Sequence, residues 1–167
     1  MPNIFVKVPE GVFDETARQK LAVGITEVAR TVEQIGDDPR QQFLTWVALE
    51  EVKAGYLFAG GGDPLLHVIP VIILFYLPAG VIDHDARSNA VALIQKACMD
   101  AQPEADPRTV MSSVIILDVA DGTWGGNGGL WQLAAFAKAA GDQHPQHPLS
   151  SGAGGATHRP ARWRQDC

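Results

Sequence analysis

Two cysteines, five histidines, a glycine-rich run at 125–129 and the acidic pair Glu50 and Glu51 are the residues whose types could do chemistry. Cys98 and Cys167 form no Cys-x-x-C and join no Cys/His cluster, so neither a zinc site nor a disulfide framework is expected. Cys98 falls beside the apolar stripe of a helix and reads as a small buried apolar group. His67 and His84 are isolated. His144, His147 and His158 sit in a Pro/Gly/Ser-rich tail, which reads as a polar segment rather than a metal site. The glycine run is no dinucleotide fingerprint, because after Gly126-Asn127-Gly128 the third glycine would have to stand where Trp131 is. Asn127-Gly128 reads instead as a tight hairpin turn. Neither a Walker sequence nor a Gly-x-Ser-x-Gly elbow occurs. Glu50 or Glu51 could orient a water, but no histidine accompanies them.

The elements that must position any site come in two copies. Residues 9–18, PEGVFDETAR, match residues 78–87, PAGVIDHDAR, at six of ten positions with a shift of 69. Asp38-Pro39-Arg40 recurs as Asp106-Pro107-Arg108, and the glycine-rich stretch 54–62 resembles 121–129, at shifts of 68 and 67. Each copy opens with a strand rich in Ile, Val and Phe, Asn3–Val8 or Val71–Leu77. A Pro-x-Gly turn follows, then an aspartate, Asp14 or Asp83, placed to cap a helix. The first helix is predicted over 14–35, with Ala17, Leu21, Ile25, Val28, Val32 and Ile35 on one face and Glu15, Arg18, Glu27, Arg30 and Glu33 on the other. The second is predicted over 83–101. Second strands are predicted at Phe43–Val52 and Val110–Val119. A further short helix is predicted over 130–140, with Leu130, Leu133, Phe136 and Ala137 on one face.

Strand–helix–strand units imply right-handed parallel crossovers. The expected fold is therefore α+β: duplicated β-α-β units forming one four-stranded sheet with two helices on one face. The first unit spans 1–66, the second, with the short helix, spans 67–140, and 141–167 is expected to be a disordered tail. Ile72, Leu74, Ile115 and Leu117 make the other sheet face apolar too, so that face must meet something, and self-association is the simplest partner.

Composition narrows the function classes. The chain has 167 residues, 46% of them apolar, and a net charge of −6, which argues against a nucleic-acid-binding surface. Val68–Leu77 is apolar over only ten residues, interrupted by Pro70, against ~20 for a membrane span. No basic-then-apolar leader is visible, so a cytoplasmic location and no membrane partner are expected.

A β-α-β unit opening with Met1-Pro2, with Gly11 nine residues after the proline and a strand-end hairpin over 121–129, resembles the tautomerase superfamily. The resemblance covers residues 2–129. The duplicated length is similar to its two-unit members, the cis-3-chloroacrylic acid dehalogenase, 4-oxalocrotonate tautomerase and macrophage migration inhibitory factor groups. Ala54–Gly61 is most similar to the dehalogenase-like group. The resemblance implies a homotrimer, removal of Met1, and catalysis by the freed amine of Pro2 without a cofactor. Ordinary terminal amines titrate near 7.7–8.0, and an apolar pocket would lower that value. A neutral amine can take a proton from one atom and return it to another, which is all a keto–enol tautomerisation needs.

Phe5, Trp46, Tyr56 and Trp124 are candidate pocket walls, with Trp124 at the position where the resemblance places an aromatic. Arginines that the resemblance implies for holding a carboxylate are absent: their positions hold Val12, Val81, Trp46 and Ser113. A helical histidine is replaced by Ala29, and an arginine pair by Pro78 and Val81. Arg40 and Arg108 are expected simply to start strands at the surface. The function expected is a proline-dependent tautomerase or isomerase of a small enol or unsaturated 2-oxo compound, with Pro2 as general base and acid. Trp124, Trp46, Tyr56 and Ser113 are its candidate pocket residues. The alternatives are a Pro2-dependent hydratase, decarboxylase or dehalogenase of an unsaturated acid, and a non-catalytic trimeric binding protein. Only one site per chain is expected, because Val71 aligns with Pro2 and has no free amine.

Overall fold

Alternation in Asn3–Pro9 makes the first strand, β1: Ile4, Val6 and Val8 are buried on one side. In the computed structural model of the chain, which describes residues 2–139, the strand turns at Pro9-Glu10-Gly11. Gly11 takes a φ of 74° there, open to glycine and strained for other residues. The Asp14 carboxylate then accepts a hydrogen bond from the Ala17 N–H at 2.8 Å and starts α1 (Glu15–Val32). The helix buries Ala17, Leu21, Ile25, Val28, Ala29 and Val32.

A helical turn, α2 (Pro39–Gln42), replaces the start of the predicted second strand. Asp38 caps it by accepting from the Arg40 N–H, and Pro39 pre-sets its first residue. Bonds from the Leu44 and Thr45 N–H groups to Gln41 and Gln42 keep the chain coiled, so β2 begins only at Trp46 (Trp46–Val52). Arg40, expected to begin a strand, is exposed in this turn.

The second unit repeats the plan with β3 (Val68–Pro78), α3 (His84–Ala101, capped by Asp83) and β4 (Thr109–Val119). The strand order is β2-β1-β3-β4, with β1 parallel to β2, β3 parallel to β4, and β1 antiparallel to β3. Both long helices cover one face. Their buried positions correspond at the shift of 69: Leu21 with Ala90, Ile25 with Ile94, Ala29 with Cys98, Val32 with Ala101. Gly24 lets the helices touch, since a Cβ there would lie 3.0 Å from that of Ala97.

The opposite sheet face is left uncovered by the described residues. Phe5, Met111 and Ile115 are exposed on it, and Ile72, Leu74 and Leu117 half-buried. The alternation predicted for this face is thus present.

After β4 the chain forms a hairpin of β5 (Trp124–Gly126) and β6 (Gly129–Trp131). Its turn residues, Asn127 and Gly128, have φ values of 51° and 81°, the geometry that an Asn-Gly pair favours. Pairing Gly125 with Leu130 commits Leu130 to a strand, where it is exposed. The predicted helix over 130–140 therefore begins later, as α4 (Leu133–Ala139), with the Leu133 N–H held by Asp121. No described helix is long and apolar enough to cross a membrane. The tail histidines His144, His147 and His158 lie outside the described residues.

Candidate active site

The antiparallel pairing of β1 with β3 decides which ends meet. The start of β1 lies beside the end of β3, and parallel pairing brings in the start of β2 and the end of β4. The end of α1 and the start of α3 join them. Pro2 is buried here, and its carbonyl accepts from the Trp46 N–H at 3.1 Å. By alternation it belongs with Ile4 and Val6 on the helix side of the sheet. Asn3 faces the open side, level with Trp46, Tyr76 and Leu117 across the four strands.

On that open side Asn3, Phe5, Tyr76, Val119, Thr123, Trp124 and Gly125 line a cleft of about 270 Å³. Phe5 and Tyr76 meet edge to face with centroids 5.9 Å apart. Trp124, 8% exposed, is buttressed by Phe136, whose ring also packs on Trp131. Asn3 Oδ1 is buried with no hydrogen-bond partner among the described residues. Such an atom costs about 1–3 kcal/mol unless something supplies a donor.

The four predicted pocket residues separate. Trp124 stands in the cleft beside the first strand. Trp46 adjoins Pro2 through its backbone, but the residue is 61% exposed and its indole N–H is bound to the Phe43 carbonyl. Tyr56 lies in the loop beyond the far end of β2 and is 76% exposed. Ser113 is level with Ile72 and Lys7, four residues before Leu117, about 13 Å along the strand from Tyr76's row. Within one chain neither Tyr56 nor Ser113 reaches Pro2.

Other candidates are occupied structurally. Val12 and Val81 pack against the core. Arg18 pairs with Glu51 at 3.2 Å, and Arg87 grips both carboxylate oxygens of Asp118 at 2.8 and 3.0 Å. Arg108 binds Asp106 and the Leu65 carbonyl rather than simply starting a strand. That guanidinium, and then the Arg108 backbone N–H, hold the Asp106 carboxyl down at about 2. Burial pushes the Cys98 thiol up to about 12, far from a nucleophile near neutrality. No cluster of three or more metal-ligating side chains occurs among the described residues.

Glu33 is the residue that the sequence reading missed. Expected on the polar outer face of α1, it is 2% exposed, the only buried charged side chain among the described residues. The cause is the helix ending. Gln34 adopts a φ of 52°, and the Ile35 N–H bonds back to the Arg30 carbonyl at 2.9 Å. This Schellman-type turn returns Ile35 to the core and carries Glu33 inward with it. One sign was present in the sequence: Glu33 stands four residues after the buried Ala29, on the continuation of the apolar stripe. Burial raises its carboxyl, and the positive amino terminus of the chain acts against that rise, by charge and by hydrogen bonding.

No protein-family model matches the sequence, and no curated protein matches it significantly. Solved structures do share the fold. Native fused 4-OT is 19% identical over 77% of this chain and 94% of its own, with a TM-score of 0.61. N1, a member of the cis-3-chloroacrylic acid dehalogenase family, is 20% identical over 86% and 93%, with a TM-score of 0.63. Pt0534 inactivated by 2-oxo-3-pentynoate is 15% identical over 76% and 93%, with a TM-score of 0.60. At these identities the likeness establishes the fold alone, the one shared by fused 4-OT and the cis-3-chloroacrylic acid dehalogenase family member.

Proposed function

We propose that this chain, on its tautomerase-superfamily fold, is a proline-dependent tautomerase or isomerase of a small enol or unsaturated 2-oxo compound. The observation that carries the reading is the placement of Pro2: buried at the head of β1, at the end of the sheet that holds the Trp124 cleft. Loss of Met1 makes its nitrogen a secondary amine on a rigid ring. That amine takes the enol hydroxyl proton and returns it to the substrate carbon, so the exchange balances without a cofactor. Val12 and Val81 leave no arginine clamp near the two Pro-x-Gly turns. The Asn3 amide, with its unpaired buried oxygen, provides the polar contact instead, and Trp124 a flat apolar wall.

The assembly is a homotrimer formed through the uncovered sheet face. Exposed Phe5, Met111 and Ile115 on that face support association, and structures of fused 4-OT are symmetric and asymmetric trimers. Burying such side chains contributes about 25 cal/mol per Å² of apolar surface.

The test is ketonisation of phenylenolpyruvate by wild type and Pro2→Ala, on protein whose intact mass shows Met1 removed. Loss of turnover in Pro2→Ala supports the reading, and unchanged turnover removes Pro2 from the mechanism. A second reading is favoured by the buried Glu33 carboxyl: Pro2 acting as general acid in hydration, decarboxylation or dehalogenation of an unsaturated acid. Release of halide or carbon dioxide, or addition of water, distinguishes it. Retention of Met1 in the cell-made protein would favour a non-catalytic binding role.

A further inference from the structure

We propose that Glu33 is the positioning residue of the terminal amine: its carboxylate faces the Pro2 nitrogen from the end of α1 and keeps that amine an ammonium in the resting protein. The inference rests on the Pro2 reading above and adds the group that sets its charge. Three observations carry it.

The first is topology. α1 runs back against β1, so its last turn lies over the start of that strand. Pro2 and Glu33 are both buried at this end. The carbonyl-rich end of a helix adds negative potential of its own and favours a cation beside it.

The second is charge. An ionised carboxylate buried without a cation costs several kcal/mol. The side-chain cations at this end are engaged elsewhere: Arg30 with Glu27 and Asp37, Arg87 with Asp118. Asp83, His84 and Asp85 at the start of α3, and Asp121 before the hairpin, are exposed to water. With Met1 in place, the cation that acts on Glu33 is the chain's amino terminus at residue 1; removal of Met1 moves that charge one residue along, to Pro2.

The third is the duplication. At the shift of 69, Pro2 corresponds to Val71 and Glu33 to Gln102. The unit without a free amine therefore carries a neutral amide at the same helix-capping position. The Gln102 amide donates to the Asp106 and Arg108 carbonyls at 2.9 and 2.6 Å, a purely structural use. Were the position only a helix cap, an amide would serve both units. The acid occurs where the amine is.

The consequence reverses the order of proton steps expected for a neutral amine. The ammonium first protonates the substrate carbon, forming the new C–H bond. The neutral amine so produced then takes the hydroxyl proton as the carbonyl forms, and the ammonium is restored.

The experiment is a pH titration of the Pro2 nitrogen by NMR, using full-length protein labelled with ¹⁵N-proline and freed of Met1. The wild-type amine is expected to titrate above about 8, the upper end of an ordinary terminal amine. Glu33→Gln is expected to lower that value by at least ~1 unit, while Gln102→Glu, in the other unit, leaves it within ~0.3 units. A wild-type value at or below about 8, or a value unmoved in Glu33→Gln, overturns the proposal. Should Glu33→Gln not fold, the wild-type value decides alone. The titration reads protonation and not turnover, so it can fail while Pro2→Ala still abolishes activity, and the converse result would overturn only the catalytic reading.

Discussion

The two β-α-β units agree wherever residues build and diverge wherever they could act. In both, the residue after the strand's terminal proline donates its N–H to the end of the neighbouring strand: Glu10 to Val52 and Ala79 to Val119, each at 2.9 Å. Both glycines that follow take positive φ, 74° at Gly11 and 85° at Gly80. Asp14 and Asp83 cap their helices with identical 2.8 Å bonds. Arg18 reaches Glu51 and Arg87 reaches Asp118, pinning each helix start to the last turn of a strand. Proline, glycine, aspartate and arginine of the repeated motif thus each have a structural task. The differences are Pro2 against Val71, Glu33 against Gln102, and exposed Arg40 against bound Arg108. Duplication left one scaffold twice, with a proline at the head of the first strand in only one copy.

The largest effect should separate the units by activity. Pro2→Ala is expected to lower kcat/KM for enol ketonisation by about 10²–10⁴-fold, the usual weight of a proton-transferring group. Val71→Ala, at the matching position, should cost about 2 kcal/mol of stability in urea denaturation yet leave kcat/KM of the folded protein within about twofold. Equal losses of turnover from both would break the contrast. Gln102→Ala should follow, at about 1–3 kcal/mol in the same assay, because two carbonyls of the α3–β4 connection lose their donor.

Sharper tests of equivalence involve smaller effects. Asp14→Ala and Asp83→Ala should each destabilise by about 1 kcal/mol, and similarly to one another. A gap of twofold or more would show that the units are not mechanically alike. The smallest difference concerns acid. The Asp106 carboxyl sits at about 2 when folded, below its ordinary value near 3.8, because Arg108 binds it. Its contribution is present above about pH 4 and lost as the pH falls toward 2. Asp106→Asn should flatten that acid limb of the stability profile.

The scaffold was legible in the sequence because its rules are local. Alternating Ile and Val gave the strands, spacing of three and four gave the helices, and Asp14, Asp83 and Asn127-Gly128 marked caps and turn. The misreadings have physical causes. Asp38-Pro39 started a helical turn that delayed β2 to Trp46, and the hairpin claimed Leu130 before a helix could. The site was less legible. Trp124 lies in the cleft through its hairpin, whereas within one chain Tyr56 and Ser113 lie away from it, because their places depend on strand pairing. Glu33 was hidden because a helix ending at Gln34, in a backbone conformation that glycine normally supplies, turned a nominally outer residue inward.

Covalent labelling of the processed chain gives the most direct check that its chemistry resides in one terminal nitrogen. An alkynyl ketone such as 2-oxo-3-pentynoate, at a pH where the amine has lost its proton, offers an electrophilic carbon to the nitrogen lone pair. Peptide mapping should find one adduct per chain, on Pro2, with loss of turnover in proportion. An adduct on another residue, two per chain, or full activity in the labelled protein would contradict it.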